Sequence, residues 1–261
     1  MGFHGVMLIG LVGICAVALG VVDGNRSDEA SLVGSGWGLA RATFYGPPDG
    51  RDGMGAACGY TNVVNQGYGQ ATTALSTALF NDGAACGTCY EIVCVNAPRA
   101  CKPGKIRVTA TNFCPPNYTK TTDIWCNPPQ KHFDLAMPMY LKIAEYKAGV
   151  VPVVYRRVKC GKTDGVKFVM GGNKYWTLVL VYNVGGAGDV KSVRVRSSGA
   201  SRWTQMTRNW GQNWQLVGQI LLGKALSFEV TTSDGSVVQA INVVPSNWNF
   251  GMTFGAKKNI H

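Results

Sequence analysis

The chain reads as a mainly-β protein of two domains, and three observations carry that reading. Eight cysteines fall between Cys58 and Cys160 and none follows. From Ala42 to Cys160, short apolar runs alternate with Gly/Pro/Asn clusters, and from Val166 onward strand-like runs recur at short, regular spacing.

The elements follow in chain order. Residues 6–19 are an apolar run, with no acidic or basic side chain before Asp23. We read residues 1–24 as a signal peptide and the mature chain as secreted; the n-region holds only His4, so a membrane anchor, leaving the chain membrane-associated, is the competing reading. Residues 25–40 are Ser/Gly-rich without apolar period and read as a loosely ordered arm. Cys15 leaves with the signal. The even set that remains, in an oxidising compartment, predicts four disulfides, although Cys86-Gly-Thr-Cys89 also has the spacing of a zinc ligand pair.

The first domain spans 41–163. Runs at 89–94, 106–111 and 150–155 read as strands. One helix is predicted over 132–146, with Asp134 near its N-cap, Pro138 in its first turn and Met139, Ile143 and Tyr146 on one face. The polar, Gly-containing stretch 159–165 is the junction, too short to let the domains act independently. The second domain, 164–261, has predicted strands at 166–170, 175–182, 190–196, 214–221, 225–232 and 237–244, the pattern of an all-β sandwich.

Net charge is +11 and both parts are basic: 14 Lys/Arg against nine Asp/Glu in 25–160, and 11 against four in 161–261. Outside a cell this suits an anionic wall or matrix glycan such as pectin, and equally a solvated basic surface without a dedicated partner. Nucleic acid is disfavoured, because the basic residues are scattered and no reading motif is present.

Candidate chemistry in the first domain is sparse. Asp134 is either a helix cap or a substrate contact, His132 lacks triad or metal-ligand spacing, and Thr43 and Tyr45 alternate along one run. Glycoside hydrolysis ordinarily needs two flanking carboxylates. The second domain holds Trp176, Trp203, Trp210, Trp214 and Trp248, to be divided between a sugar-stacking platform and core, with Trp214 and Trp248 the core candidates. Trp210 and Trp214 share a face if they lie on one strand.

An ordered series of motifs then narrows the reading. Thr43-Phe-Tyr-Gly46, Ala57-Cys-Gly-Tyr60, Gln66-Gly-Tyr-Gly69, Cys86-Gly-Thr-Cys89, Thr109-Ala-Thr-Asn-Phe-Cys-Pro-Pro-Asn117, Trp125-Cys-Asn-Pro-Pro129, His132-Phe-Asp-Leu135, Asn183-Val-Gly-Gly-Ala-Gly-Asp189 and Arg208-Asn-Trp-Gly-Gln-Asn-Trp214 closely resemble the plant α-expansins, over about 41–254. The resemblance implies a six-stranded double-psi β-barrel related to family-45 endoglucanases, followed by an immunoglobulin-like β-sandwich that binds carbohydrate. It implies a monomer that loosens plant cell walls, favoured by acid, by disrupting contacts of cellulose with xyloglucan and other matrix glucans without hydrolysis, and with no cofactor or metal.

The same resemblance implies a groove of Thr43, Tyr45, Asp49, Asn112 and Asp134, a platform of Trp176 and Trp210, and pairings Cys58–Cys86, Cys89–Cys160, Cys94–Cys101 and Cys114–Cys126. The related endoglucanases carry a catalytic aspartate soon after the Thr-x-Tyr strand, where this chain has Gly46-Pro47-Pro48. That leaves Asp134 as the surviving acid and the catalytic base missing. Asp49 and Asp52 share the following loop, and either could face the groove. Asn117-Tyr-Thr119 is an N-glycosylation acceptor, as is Asn25-Arg-Ser27 if it survives signal cleavage.

Overall fold

The structure, a computed structural model, describes residues 1–2, 36–49 and 56–261. The expected signal peptide, Asn25, most of the arm and Asp52 lie outside the described residues. Within them no helix is long and apolar enough to cross a membrane.

Six strands close into a barrel: β1 (Gly38–Tyr45), β2 (Thr72–Leu75), β3 (Cys89–Cys94), β4 (Ile106–Phe113), β5 (His132–Ala136) and β6 (Val151–Val158), in the order β1-β5-β2-β4-β3-β6. β1 runs parallel to β5 and β2 parallel to β4, whereas β6 closes antiparallel onto β1 and β3. Closure leaves no exposed edge in the ring. Alternation sends Ala42, Phe133, Leu135, Val108 and Ala110 into the core, while Thr43 and Asp134 point out.

A short helix α1 (Thr77–Phe80) follows β2, and α2 (Met137–Ile143) follows β5. The predicted helix over 132–146 is therefore corrected. His132–Ala136 is strand, Pro138 sits in the first turn of the real helix, and Met139 and Ile143 are buried, but Tyr146 is exposed in a separate 3₁₀ turn. Asp134 caps no helix. Likewise Gly38–Ala40, assigned to the arm, are part of β1.

The remaining strands form two sheets. β9 (Val190–Ser197), β10 (Thr204–Gln205), β13 (Leu226–Thr232) and β14 (Val237–Val244) give the order β10-β9-β13-β14. β7 (Lys167–Asn173), β8 (Trp176–Tyr182), β11 (Thr207–Trp210), β12 (Asn213–Val217) and β15 (Thr253–Gly255) give β11-β12-β8-β7-β15. Their inner faces enclose Phe168, Phe228, Val179, Val193, Trp214 and Trp248, with the Phe168 and Phe228 rings stacked at 4.7 Å. Trp214 and Trp248 are core, as expected.

All four expected disulfides are present, so Cys86 and Cys89 belong to different bridges, not to one metal pair. Cys89–Cys160 closes the longest loop, 71 residues, the kind of closure that constrains the unfolded chain most.

Barrel and sandwich meet over a packed seam. Tyr60, Val63 and Tyr68 of the barrel side form one buried cluster with Leu180 and Tyr182 of β8. Gln212 donates from its backbone to Cys58 O (2.9 Å) and from its side chain to Cys86 O (2.6 Å). Gly211 makes this approach possible: at φ +52° its missing Cβ would lie 2.6 Å from the Cys58 backbone. Gly188 is equally constrained, at φ +81° with 2.4 Å from a Cβ to the Cys160 sulfur.

Candidate functional site: a polar row on the barrel and an aromatic face on the sandwich

Strand register assembles the groove residues. Thr43 pairs with Asp134, Asp134 with Ala74, and Ala74 with Asn112, so one row crosses β1, β5, β2 and β4. Directly paired residues share a sheet face, and a bulge in β4 between the Thr73–Ala110 and Ala74–Asn112 pairs brings Asn112 into the outward row of Thr43 and Asp134, with only the small Ala74 between the last two. Tyr45, two residues beyond Thr43, is on the same face and partly buried. Asn112 has a bracing role as well, since its Oδ1 accepts from Ala57 N (2.8 Å) and Phe113 N (2.9 Å). Asp49 is exposed at the end of the described loop, where its carbonyl accepts from Gln70 Nε2 (2.6 Å).

Thr43 is the centre of a short polar chain. Its hydroxyl lies 2.7 Å from Asp134 Oδ1 and 2.7 Å from His132 Nε2. A hydroxyl has one proton to give. While Asp134 is ionised, Thr43 donates to it and must accept from His132 Nε2–H, which leaves Nδ1, buried and without a partner, as the unprotonated nitrogen. When Asp134 is protonated the chain can reverse, with the acid donating to Thr43 and Thr43 to Nε2.

Burial shifts both titrations. It raises the Asp134 carboxyl above its usual range, with the Thr43 hydrogen bond opposing in part. It lowers His132 to about 4, and the nearby Arg41 guanidinium works the same way. Ser76 holds the histidine in place: its amide donates to His132 O (3.0 Å), and its hydroxyl accepts from His132 N (3.1 Å) while donating to Gln130 O (2.8 Å).

Beside Thr43 and His132 opens a hollow of about 160 Å³ whose walls include Asp123, Trp125 and Asn117. These three come from the loop closed by Cys114–Cys126, and Asp123 and Trp125 were not expected there. Trp125 is held by the Arg41 guanidinium, 4.6 Å over its ring. Asn117 is exposed, and its Oδ1 accepts from the Thr119 hydroxyl at 2.8 Å.

On the sandwich, the outer face of the five-stranded sheet carries Trp176 of β8 in the row of Val217, and Trp210 at the end of β11 opposite Asn213. Trp210 is 48 % exposed. Trp176 is partly buried, and its indole N–H donates to Gln215 Oε1 (2.9 Å), which also receives Asn209 Nδ2 (2.7 Å). Barrel residues cover the Leu180 end of this face, and the aromatic surface begins where that cover stops. Trp210 and Trp214 do not share a face. Gly211 turns the chain between two strands, leaving Trp210 outside and Trp214 in the core under Arg208.

A closed six-stranded barrel bearing an outward polar row, joined to a two-sheet sandwich with exposed tryptophans, defines a two-domain architecture that comparison identifies. Residues 166–245 match the model of the expansin C-terminal domain, and residues 72–155 the model described as lytic transglycolase. Expansin-A22 of Arabidopsis thaliana is 58 % identical over 233 residues, 89 % of this chain and 83 % of its own length. Expansin-A32 of Oryza sativa subsp. japonica is 48 % identical over 229 residues, 86 % and 85 % of the two chains. The chain belongs to the expansin family, in its expansin-A group. Among solved structures, an expansin of Clavibacter michiganensis has the same fold, with a TM-score of 0.66 at 19 % identity over 85 % of this chain and 97 % of that one.

Proposed function

We propose that this chain is a secreted protein of the plant cell wall that binds cellulose and matrix glucans such as xyloglucan, and loosens their non-covalent contacts in an acid-favoured way without cutting them. One observation carries the reading: the Thr43 hydroxyl bridges His132 and a carboxyl that burial biases toward its neutral form. A neutral Asp134 can donate as well as accept, which suits competition for the hydroxyls that join glucan chains. Trp176 and Trp210 supply the grip by stacking on sugar rings, and a related bacterial expansin, as a point mutant, has been crystallised with cellohexaose. The two domains present these features together because the seam between them is packed and hydrogen-bonded.

A second reading, weak endoglucanase activity, draws support from Asp123, which brings another carboxylate to the hollow beside Thr43. Creep of heat-inactivated wall strips under constant load, run beside a reducing-end assay on soluble and crystalline glucans, separates the two. Acid-dependent extension without steady release of reducing ends supports loosening; release in proportion to extension sinks it.

A further inference from the structure

The seam between the domains opens on one side into a cavity of about 610 Å³ that plays no part in the groove or the aromatic face. Its walls combine α1 and the loop after it, Tyr90 of β3, Arg157 of β6, the start of β9 and Arg208 of β11. Three cationic side chains face it, Arg157, Lys191 and Arg208, against one carboxylate, Asp189.

The carboxylate is already engaged. Asp189 Oδ1 accepts from Arg157 (2.6 Å) and from the Ser233 hydroxyl (2.8 Å). Of the acids adjacent in sequence to the cavity's wall residues, Asp82 is exposed on the loop after α1, Glu91 is held by Lys105 and Arg156, and Asp234 is turned into its own loop, accepting from Thr232 Oγ1 (2.6 Å) and Ser236 N (3.0 Å). Arg208 is fixed by hydrogen bonds to the Gly211 and Val190 carbonyls and by stacking on Trp214 at 4.5 Å, so its guanidinium is held rigidly at the wall. Lys191 stands exposed on β9. The cavity thus keeps a surplus of positive charge on pre-set groups, with apolar wall from Leu79 and the Tyr90 ring.

From this arrangement we infer that the interdomain cavity is a binding site for uronate residues of an acidic glycan, distinct from the neutral-glucan groove. The size suits one or two sugar rings, since small-ligand sites run from about 300 to 1,000 Å³. The exposed Lys191 ammonium beside the fixed Arg208 charge attracts a carboxylate, and Leu79 offers an apolar contact for a ring edge. The net charge of +11 would draw a polyanion toward it. The inference adds a partner class to the proposed function, and its test reads neither creep nor cellohexaose binding, so the two can fail separately.

The probe is α-1,4-linked trigalacturonate, titrated into the full chain by calorimetry. Saturable binding is expected, weakened about tenfold by Lys191→Glu and retained in Lys191→Arg. Lys224→Glu makes the same change of net charge on an exposed position remote from the cavity walls and should leave affinity within about twofold, because exposed charges beyond a Debye length are screened. The fully methyl-esterified trimer should not bind. Absence of saturable binding, equal weakening by both charge reversals, or undiminished binding of the ester would each overturn the assignment. A thermal melt of every variant confirms that it is folded, and both lysines are exposed positions whose replacement should leave the melting curve nearly unchanged.

Discussion

Thr43 and Asp134 are register partners on parallel strands, and the 2.7 Å hydrogen bond between their side chains ties the carboxyl to His132 through a single hydroxyl. The two titratable ends of that chain are shifted in opposite directions by the same cause, burial. Their contributions to stability therefore have opposite signs as the pH falls.

For Asp134 the folded carboxyl has the higher pKa, so the folded state binds more protons between the unfolded and folded values, and stability falls as pH rises through that window. Asp134→Asn should accordingly be more stable than the parent at pH 7, by something on the order of 1 kcal/mol or ~2–4 °C in Tm. The advantage should vanish near pH 3. Thermal melts across pH 3–7 check this, and a variant less stable than the parent at pH 7 would mean that the ionised form is the favoured one.

For His132 the folded pKa is the lower one, about 4, so stability is intact above pH 6.5 and is lost as pH falls toward 4. The full loss is about 3 kcal/mol, the free energy that separates an ordinary histidine from one titrating at about 4. His132→Asn, which can still donate to Thr43 but does not titrate, should flatten the dependence of unfolding free energy on pH in urea titrations. An unchanged slope would place the acid sensitivity elsewhere.

The tryptophans should separate into two classes. Trp210→Ala, at a half-exposed side chain, should leave stability within about 0.5 kcal/mol yet weaken retention on cellulose about tenfold, the equivalent of ~1.4 kcal/mol of lost apolar contact. Trp214→Ala should instead cost about 3–5 kcal/mol of stability, because it empties the sandwich core. Depletion assays and melts on both variants decide the matter.

Asp123 distinguishes loosening from cleavage. If the chain does not hydrolyse, Asp123→Asn should leave the reducing-end signal at background and change creep less than twofold. A reducing-end activity in the parent that Asp123→Asn abolishes would make Asp123 a catalytic partner.

Much of the sandwich was legible because alternation marks most of its strands: β14 spans the predicted 237–244 and alternates from Val237 to Ile241, and β9 buries Val193 and Val195 on one face, with Val190 brought to that face by a register shift against β13. The helix over 132–146 was overextended because Phe133 and Leu135 belong to a two-residue period that runs directly into the helical spacing of Met139 and Ile143. β2 escaped notice because all four of its residues are buried and two are threonines, so no alternation marks it. Trp210 and Trp214 were separated by a turn that Gly211 marks in the sequence. The row from Thr43 to Asn112 is a product of strand register, which no local pattern encodes; resemblance named its members, and the fold shows why they are neighbours. Asp123 had no signal and Trp125 only its place in a motif of the resemblance, since a disulfide loop positions both.

On the proposed function, protonation of Asp134 switches the groove into its active form. Creep of heat-inactivated walls is measured from pH 7 to pH 4.5 with the parent and Asp134→Asn at matched wall loading. Extension by the parent should rise as the pH falls, and the variant, permanently uncharged, should show a flat profile. An Asp134→Asn profile that rises with acid as the parent's does would contradict the claim and remove this carboxyl from the mechanism.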